Sequence, residues 1–414
     1  MGSSPTTPTT SARCSRTRGA VPIRLRVLHI VSKYPPAMGG SELATQRLAR
    51  ALAARGHEAH VLTLAHPGLP VGEREEDGVR VHRVLRPAPL GPLWGLGYMR
   101  QIAGWLGSRE PFGAIHCRGL YLHSIPAASA GKRTGARVFS TIASTGALHD
   151  LEGLLGHRLG RMLAARALAA PAQLIALSPA SEAETLAILR REALPAPPIH
   201  VVPNFVEWPR TVRPPGARPS HRLLFLGRLE PVKRPDLALE ALRIARETIA
   251  DLELRVVGDG SLREGLEARV AELGLGAAVT FAGRVEDPRG ELDSASALIL
   301  PSDTEGLSNA MLEAMAWGVP VVATDVGGAR DALGEPRLEP ELGLPAPAEA
   351  GYLALAGDAH GLAKAVVSLL SQGDNRAGKG AAARRRCEAL YSADAVLEKL
   401  LALYRGAVPL RSRA

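Results

Sequence analysis

Two carboxylates and two cations in the C-terminal half of the chain have the types and spacing to work on a phosphorylated, hydroxyl-rich ligand. Glu305 and Glu313 flank Gly306-Leu307-Ser308-Asn309, a glycine turn that can open a helix. The turn follows one apolar run, Ala297–Leu300, and precedes another, Val319–Ala323. Strand, glycine turn and helix N-terminus in that order offer free N–H groups and the positive end of a helix dipole to an anion. Flanking glutamates would repel a bare phosphate, so the segment suits a ligand with hydroxyls beside its phosphate, as in a nucleotide-sugar. Arg228 and Lys233 follow Gly227 at the end of a further apolar run, Arg222–Leu226. Both charges can reach a diphosphate there, whose bridging and leaving oxygens are charged. Taken alone that turn reads as a solvated charged loop; in the same half as the two glutamates it reads as the diphosphate's partner.

Other turns carry weaker signals. Gly39-Gly40 closes the first strand-to-helix turn and either presents N–H groups to a phosphate or is a simple tight turn. Val257-Gly258-Asp259-Gly260 and Phe281-Ala282-Gly283-Arg284-Val285 put pliable backbone at strand ends, where a base could stack and where ordinary turns also occur. The chain has no Gly-x-Gly-x-x-Gly, Gly-Lys-Ser/Thr, His-Glu-x-x-His, Gly-x-Ser-x-Gly or Asp-x-Asp motif. Dinucleotide binding, ATP hydrolysis, zinc hydrolysis, serine hydrolysis and a metal-held diphosphate are therefore disfavoured, and neither a metal nor another cofactor is expected.

The elements that must hold these residues alternate. Leu25–Val31 reads as a strand, Leu43, Leu48, Ala49 and Leu52 as one face of a helix, and His60–Leu64 as the next strand. Further strands are expected at Val79–Val84, Ala114–Cys117, Val138–Thr141, Leu174–Leu177 and Ile199–Pro203. Four prolines and a glycine between Pro209 and Pro219 mark a linker. The pattern then restarts with the strand Arg222–Leu226, a helix over Pro235–Ile249, and strands at Leu252–Val257, Val279–Ala282, Ala297–Leu300 and Val319–Ala323. Repeated βαβ units predict an α/β chain of two doubly wound, Rossmann-like domains whose ligand lies in the cleft beyond the strand C-termini. The expected division is a disordered tail over 1–21, an N-terminal domain over 22–206, a linker over 207–221 and a C-terminal domain over 222–391. The last part, 392–414, holds a helix, Ala393–Tyr404, that packs back toward the N-terminal domain.

The 414 residues suffice for two cores, and the formal charge is +9. Residues 1–206 hold 24 Lys/Arg against 12 Asp/Glu, and residues 207–414 hold 26 against 29. A basic half meets anionic lipid or nucleic acid, or else reflects an arginine-rich composition at the surface. Aromatic residues do not interleave with the arginines as base stacking requires, which disfavours nucleic acid. No apolar run reaches the roughly 18 residues of a membrane span. Pro92–Met99 with Ile102 and Trp105, and Leu154–Ala170 with His157, Arg158, Arg161 and Arg166, fit either an apolar partner such as a membrane interface or packing on their own domain. Cys14, Cys117 and Cys387 are widely spaced, which points to a reducing, cytoplasmic setting.

Together, the run Leu300–Ala316, Gly227-Arg228-Leu229 with Lys233, Val202-Pro203-Asn204, and Pro35-Pro36 with Gly39-Gly40 and Glu42 resemble the retaining glycosyltransferases of family 4, from about Leu25 to Tyr404. The resemblance implies the GT-B fold, an N-terminal acceptor domain and a C-terminal nucleotide-sugar domain. It implies that Glu305 holds the sugar's hydroxyls, Glu313 the ribose, and Arg228 and Lys233 the diphosphate. The backbone of Gly306, Leu307, Ser308 and Asn309 would cradle sugar and distal phosphate, Gly40 would approach that phosphate from the other domain, and Gly258, Arg284 and Val285 would border the nucleotide. In such enzymes the acceptor attacks from the leaving-group face and a phosphate oxygen takes its proton, so Glu305 positions and does not act as a base. The family's Thr-x-His-Gly-like turn is altered here: Ala143 stands where its histidine falls, and Ser144 and His149 become the acceptor-side candidates. A UDP-sugar is favoured over GDP-mannose, with a glycan, a lipid-linked intermediate at the inner membrane face, or a small molecule as acceptor. A nucleotide-sugar epimerase and a non-catalytic nucleotide-sugar-binding protein are the competing readings; a glycan phosphorylase would need a pyridoxal lysine, and no lysine has a fitting context.

Overall fold

Short parallel strands with helices packed on both faces build each half of the chain. The structure is a computed structural model and describes residues 24–36, 39–86, 94–146, 149–156, 159–169, 171–209, 211, 221–371 and 373–407. The expected tail over 1–21, nearly all of the Pro209–Pro219 linker, Pro92 and Leu93, and the chain beyond 407 lie outside the described residues.

The first sheet contains β1 (Arg26–Ile30), β2 (Glu58–Leu64), β3 (Gly72–Glu76), β4 (Val79–Leu85), β5 (Ala114–Arg118), β6 (Arg137–Ile142), β7 (Ala172–Ala176) and β8 (Ile199–Val201). Their order is β3-β4-β2-β1-β5-β6-β7-β8, and only the β3–β4 pair is antiparallel. The second sheet contains β9 (Arg222–Leu226), β10 (Glu253–Val257), β11 (Val279–Gly283), β12 (Ala297–Leu300), β13 (Val321–Thr324), β14 (Ala346–Ala348) and β15 (Gly351–Ala354). Its order is β11-β10-β9-β12-β13-β15-β14, with β14–β15 the antiparallel pair. Strands β5, β7, β12 and β13 are buried at every residue, because helices cover both faces of a parallel sheet.

Both antiparallel edges escaped the sequence reading, for different reasons. Strand β3 is Gly-Glu-Arg-Glu-Glu and has no apolar period; its charges suit an edge that must not pair further. Its turn, Asp77-Gly78, has φ +52 and +76, the Asp-Gly signature of a tight hairpin that the sequence did offer. Strands β14, Ala-Pro-Ala, and β15, Gly-Tyr-Leu-Ala, lack the β-branched residues that mark β12 and β13. The helix expected over Pro235–Ile249 closes at Ala245.

The described residues of the Leu154–Ala170 segment belong mainly to two short helices, Asp150–Leu155 and Gly160–Ala167, while His157, Arg158 and Ala170 lie outside the described residues. Leu154, Ala164, Ala167 and Leu168 enter the core of their own domain, while Leu159 and Met162 stay exposed beside Arg161 and Arg166. Among the described residues no helix is long and apolar enough to cross a membrane. Cys117 and Cys387 are free and buried.

The C-terminal helices tie the halves together. Gly373–Tyr391 packs on Asn309–Ala316, with Cys387 Sγ 3.4 Å from the Leu312 carbonyl. Ser392 then caps a new helix, Ala393–Arg405, whose Val396, Leu400 and Tyr404 enter the N-terminal core beside Val27 and Leu48. Val206 bridges Ser392, and its N–H reaches the Tyr391 carbonyl at 3.1 Å, so both passages between the halves lie side by side.

The N-terminal half buries neutral histidines. His29, His116 and His123 are at most 1% exposed. Burial lowers His29 to about 3 and His123 to about 4, and takes His116 well below the usual value, with Arg118 adding to the effect on His29 and His116. Below pH ~6.5 the unfolded chain therefore takes up protons that the folded chain refuses. Stability is complete above that pH and falls as pH drops, by about 1.4 kcal/mol per pH unit for each such histidine. The urea midpoint should fall from pH 7 to pH 5, and it should fall less in His29→Leu. An equal fall in both would show that His29 is not buried neutral.

Candidate active site

Strands β9 and β12 are neighbours from which the connections run in opposite directions, which makes their C-terminal ends the switch point of the second sheet. The loops leaving them carry Arg228, Lys233 and Glu305. After β9, Gly227-Arg228-Leu229 lies against Gly258 and Gly260. A Cβ on Gly258, at φ +139, would stand 1.8 Å from the Gly227 carbonyl oxygen, so only glycine fits there. Gly258 thus supports the Arg228 turn from beneath.

The chain then makes a 3-10 turn, Pro231–Lys233, that ends on Arg234 in the left-handed region at φ +47. Arg234 is held there by Asp236 and Asp303, and the Asp303 N–H donates to the Val232 carbonyl at 3.0 Å. Joined in this way, the two loops bring Lys233 Nζ onto Glu305 Oε1, where Ser302 Oγ also donates at 3.1 Å. Arg228 is exposed, and its charge acts on the Glu230 carboxylate two residues on.

Ser308 caps the helix Asn309–Ala316 by accepting from the Met311 N–H at 3.4 Å. Leu307 is buried in the core, and Asn309 donates to the Gly40 carbonyl at 3.0 Å. The side chains from Leu307 to Asn309 are therefore engaged in structure, and their backbone is what remains for a ligand. Gly327, at φ +53, passes so close under the Glu305 carbonyl oxygen that a Cβ would lie 1.5 Å from it. Val285 packs partly buried against the core, whereas Arg284 is exposed and donates to the Pro36 carbonyl at 3.1 Å.

That last bond crosses the cleft, and others do too. Thr145 Oγ1 lies 2.6 Å from the Glu305 carbonyl oxygen, and Thr304 Oγ1 donates to the Thr145 carbonyl at 2.6 Å. Arg47, on the helix Gly40–Ala54, pairs with Glu313. Asn204 Nδ2 donates to Asn309 Oδ1 at 3.1 Å, while Asn204 Oδ1 accepts from Arg118 at 3.1 Å. Because arginine only donates, it sets the direction of both amides and aims the Asn309 NH₂ at Gly40. Arg118 is 6% exposed, and burial lowers its pKa to about 10. Through Thr141 and His116 the same network reaches the Tyr404 hydroxyl, so the C-terminal helix is linked to the cleft.

His149 does not line the cleft. It is fully buried, its Nδ1 caps the helix Asp150–Leu155 by accepting from the Leu151 N–H at 3.1 Å, and its Nε2 lies 3.0 Å from Thr185 Oγ1. Both ring nitrogens that were expected on the acceptor side are thus engaged within the N-terminal domain. His149→Ala should lower stability by about 1–3 kcal/mol through the lost cap and the stranded Thr185, with turnover unchanged. A loss of turnover without a drop in melting temperature would restore the acceptor role. Ser144 Oγ donates to buried Asp150, which also accepts from the Leu120 and Ala143 N–H groups at 3.1 and 3.0 Å and from Tyr121 at 3.2 Å. Asp150 organises the loop that meets Gly306.

Arg47, Arg118, Thr145 and Asp150 were missed in the sequence. A cation ending the apolar strand Ala114–Cys117 could have flagged Arg118; Arg47 reads as an ordinary polar helix position.

Comparison with known proteins places both halves of the chain in one family. The model of the group 1 glycosyl transferases matches residues 220–372, and that of the glycosyl transferase 4-like domain matches residues 39–204. The D-inositol 3-phosphate glycosyltransferase of Arthrobacter sp. (strain FB24) is 28% identical over 323 residues, 70% of this chain and 75% of that one. The 2-deoxystreptamine N-acetyl-D-glucosaminyltransferase of Streptomyces fradiae is 28% identical over 358 residues, 78% of this chain and 83% of that one. The crystal structure of Anabaena HepE in complex with UDP and glucose superimposes with a TM-score of 0.71 at 18% identity, over 91% of this chain and 98% of that one.

Proposed function

Because the chain belongs to the group 1 glycosyl transferases, a retaining family of GT-B fold, we propose that it moves a sugar from a UDP-sugar to a hydroxyl-rich acceptor without a metal. The observation that carries this reading is the Lys233–Glu305 contact between the two loops at the switch point, with Arg228 on the first loop and the Asn309–Ala316 helix opening from the second.

Breaking the anomeric bond puts positive charge on the sugar and negative charge on the departing nucleoside diphosphate. In this reading Arg228, Lys233 and the helix N-terminus stabilise that leaving group. Glu305, held by Lys233 and Ser302, orients the sugar's hydroxyls, and Glu313 takes the ribose. The acceptor hydroxyl attacks on the face the diphosphate leaves, and a phosphate oxygen accepts its proton.

UDP in the HepE complex supports the choice of nucleotide. Inositol phosphate and 2-deoxystreptamine, named for the two relatives, are both polyhydroxylated rings, which supports a cyclitol or sugar acceptor. Exposed Leu159 and Met162 beside Arg161 and Arg166 suit an acceptor presented at an anionic lipid surface.

Release of nucleoside diphosphate from a panel of UDP- and GDP-sugars, with chelator present, tests the reading. Turnover with a UDP-sugar is expected. Turnover with GDP-mannose alone, or only after metal is restored, would refute it.

A further inference from the structure

One side chain of the N-terminal domain ends in the nucleotide half of the cleft. Arg47 Nη2 donates to Glu313 Oε1, and the two side chains are only 17% and 13% exposed. A charge pair drawn this far out of water needs its remaining polar atoms satisfied. Arg47 Nη1 is buried, and none of the described residues accepts from it. Its helix neighbours give no help, since Ala44 and Leu48 turn into the core. The other bonds across the cleft, at Asn309, Thr145 and Thr304, have donor matched to acceptor. Arg47 differs in having one arm engaged and one arm buried without a partner.

We propose that Arg47 completes the ribose subsite, its Nη1 donating to a ribose hydroxyl oxygen while Glu313 accepts a hydrogen bond from that hydroxyl. This rests on Glu313 being the ribose carboxylate of the function proposed above. Each oxygen of a vicinal diol both donates and accepts, whereas a carboxylate only accepts and a guanidinium only donates. Glu313 alone reads half of a diol, and Glu313 with Arg47 reads both halves. Arg47 need not leave Glu313, because a carboxylate offers about four lone-pair sites and this contact uses one. Since the two residues belong to different domains, the nucleoside site is complete only in the closed cleft. Ribose recognition and closure then become one event.

Titration of the full-length protein with UDP and with 2′,3′-dideoxy-UDP, as wild type and as Arg47→Ala, tests this. Arg47→Ala should weaken UDP binding by about tenfold and binding of the dideoxy compound by less than about twofold. Equal losses with both compounds would overturn the proposal. So would unchanged or tighter UDP binding, the mark of an ion pair that ribose must displace. If Arg47→Ala lacks a cooperative melt, Arg47→Lys replaces it: lysine keeps the charge but loses the two-armed fork, and the same contrast between ligands is expected. Wild-type protein that binds UDP no better than dideoxy-UDP would refute the ribose role of Glu313, and this proposal with it. Wild type that prefers UDP while Arg47→Ala matches it would refute this proposal alone.

Discussion

Lys233→Ala should lower turnover by about 10²–10³-fold while the protein folds normally, the usual cost of removing one preorganised charge from a developing anion. Two losses combine. The leaving diphosphate loses a cation, and Glu305 loses the partner that sets its carboxylate, leaving Ser302 at 3.1 Å as its remaining side-chain contact. The joined loops survive, because Arg234, Asp236 and Asp303 hold them without Lys233. Because Lys233 and Glu305 act as a unit, the double variant Lys233→Ala/Glu305→Gln should be little slower than the worse single variant. Single-turnover release of nucleoside diphosphate measures both effects. Fully additive losses would show that the two residues act separately.

Gly306→Ala should lower turnover by about 10–100-fold and leave the melting temperature nearly unchanged. A Cβ at residue 306 would stand 2.5 Å from the Ala143 carbonyl oxygen, a group of the opposite domain. Gly306 is not in the left-handed region, so its own loop can accept alanine without backbone strain. The clash falls on closure instead of folding. Overpacking of this kind costs about 1–3 kcal/mol, which converts to roughly that range of rate. Gly327→Ala is the contrast. Its clash at 1.5 Å is with Glu305 in the same domain, and its φ is +53, so stability should fall as well. Thermal melts beside initial rates separate the two cases. A destabilised Gly306→Ala protein would show that the Ala143 contact is part of folding.

Local chemistry made much of this protein legible. Parallel strands buried on both faces need continuous apolar runs, so β5, β9, β12 and β13 stood out within a residue or two. Strand β3 could not stand out, since a charged edge strand has no apolar period. Glu305, Glu313, Arg228 and Lys233 could be singled out because turn glycines and strand ends mark where such a fold binds ligands. The burial of His149 was not legible, because its neighbourhood in the chain does not reveal the Thr185 hydroxyl 36 positions away that engages its ring.

By itself, then, the sequence determined two doubly wound domains, the loops that carry charge, and the carboxylates and cations on them, since each depends on patterns a few residues long. Only the tertiary structure decided which of those groups meet. Lys233 reaches Glu305 across 72 positions, Asn204 reaches Asn309 across 105, and Arg47 reaches Glu313 across 266. The first contact follows from which strands become neighbours in one sheet and the other two from how two cores dock, and no local period in the chain records either.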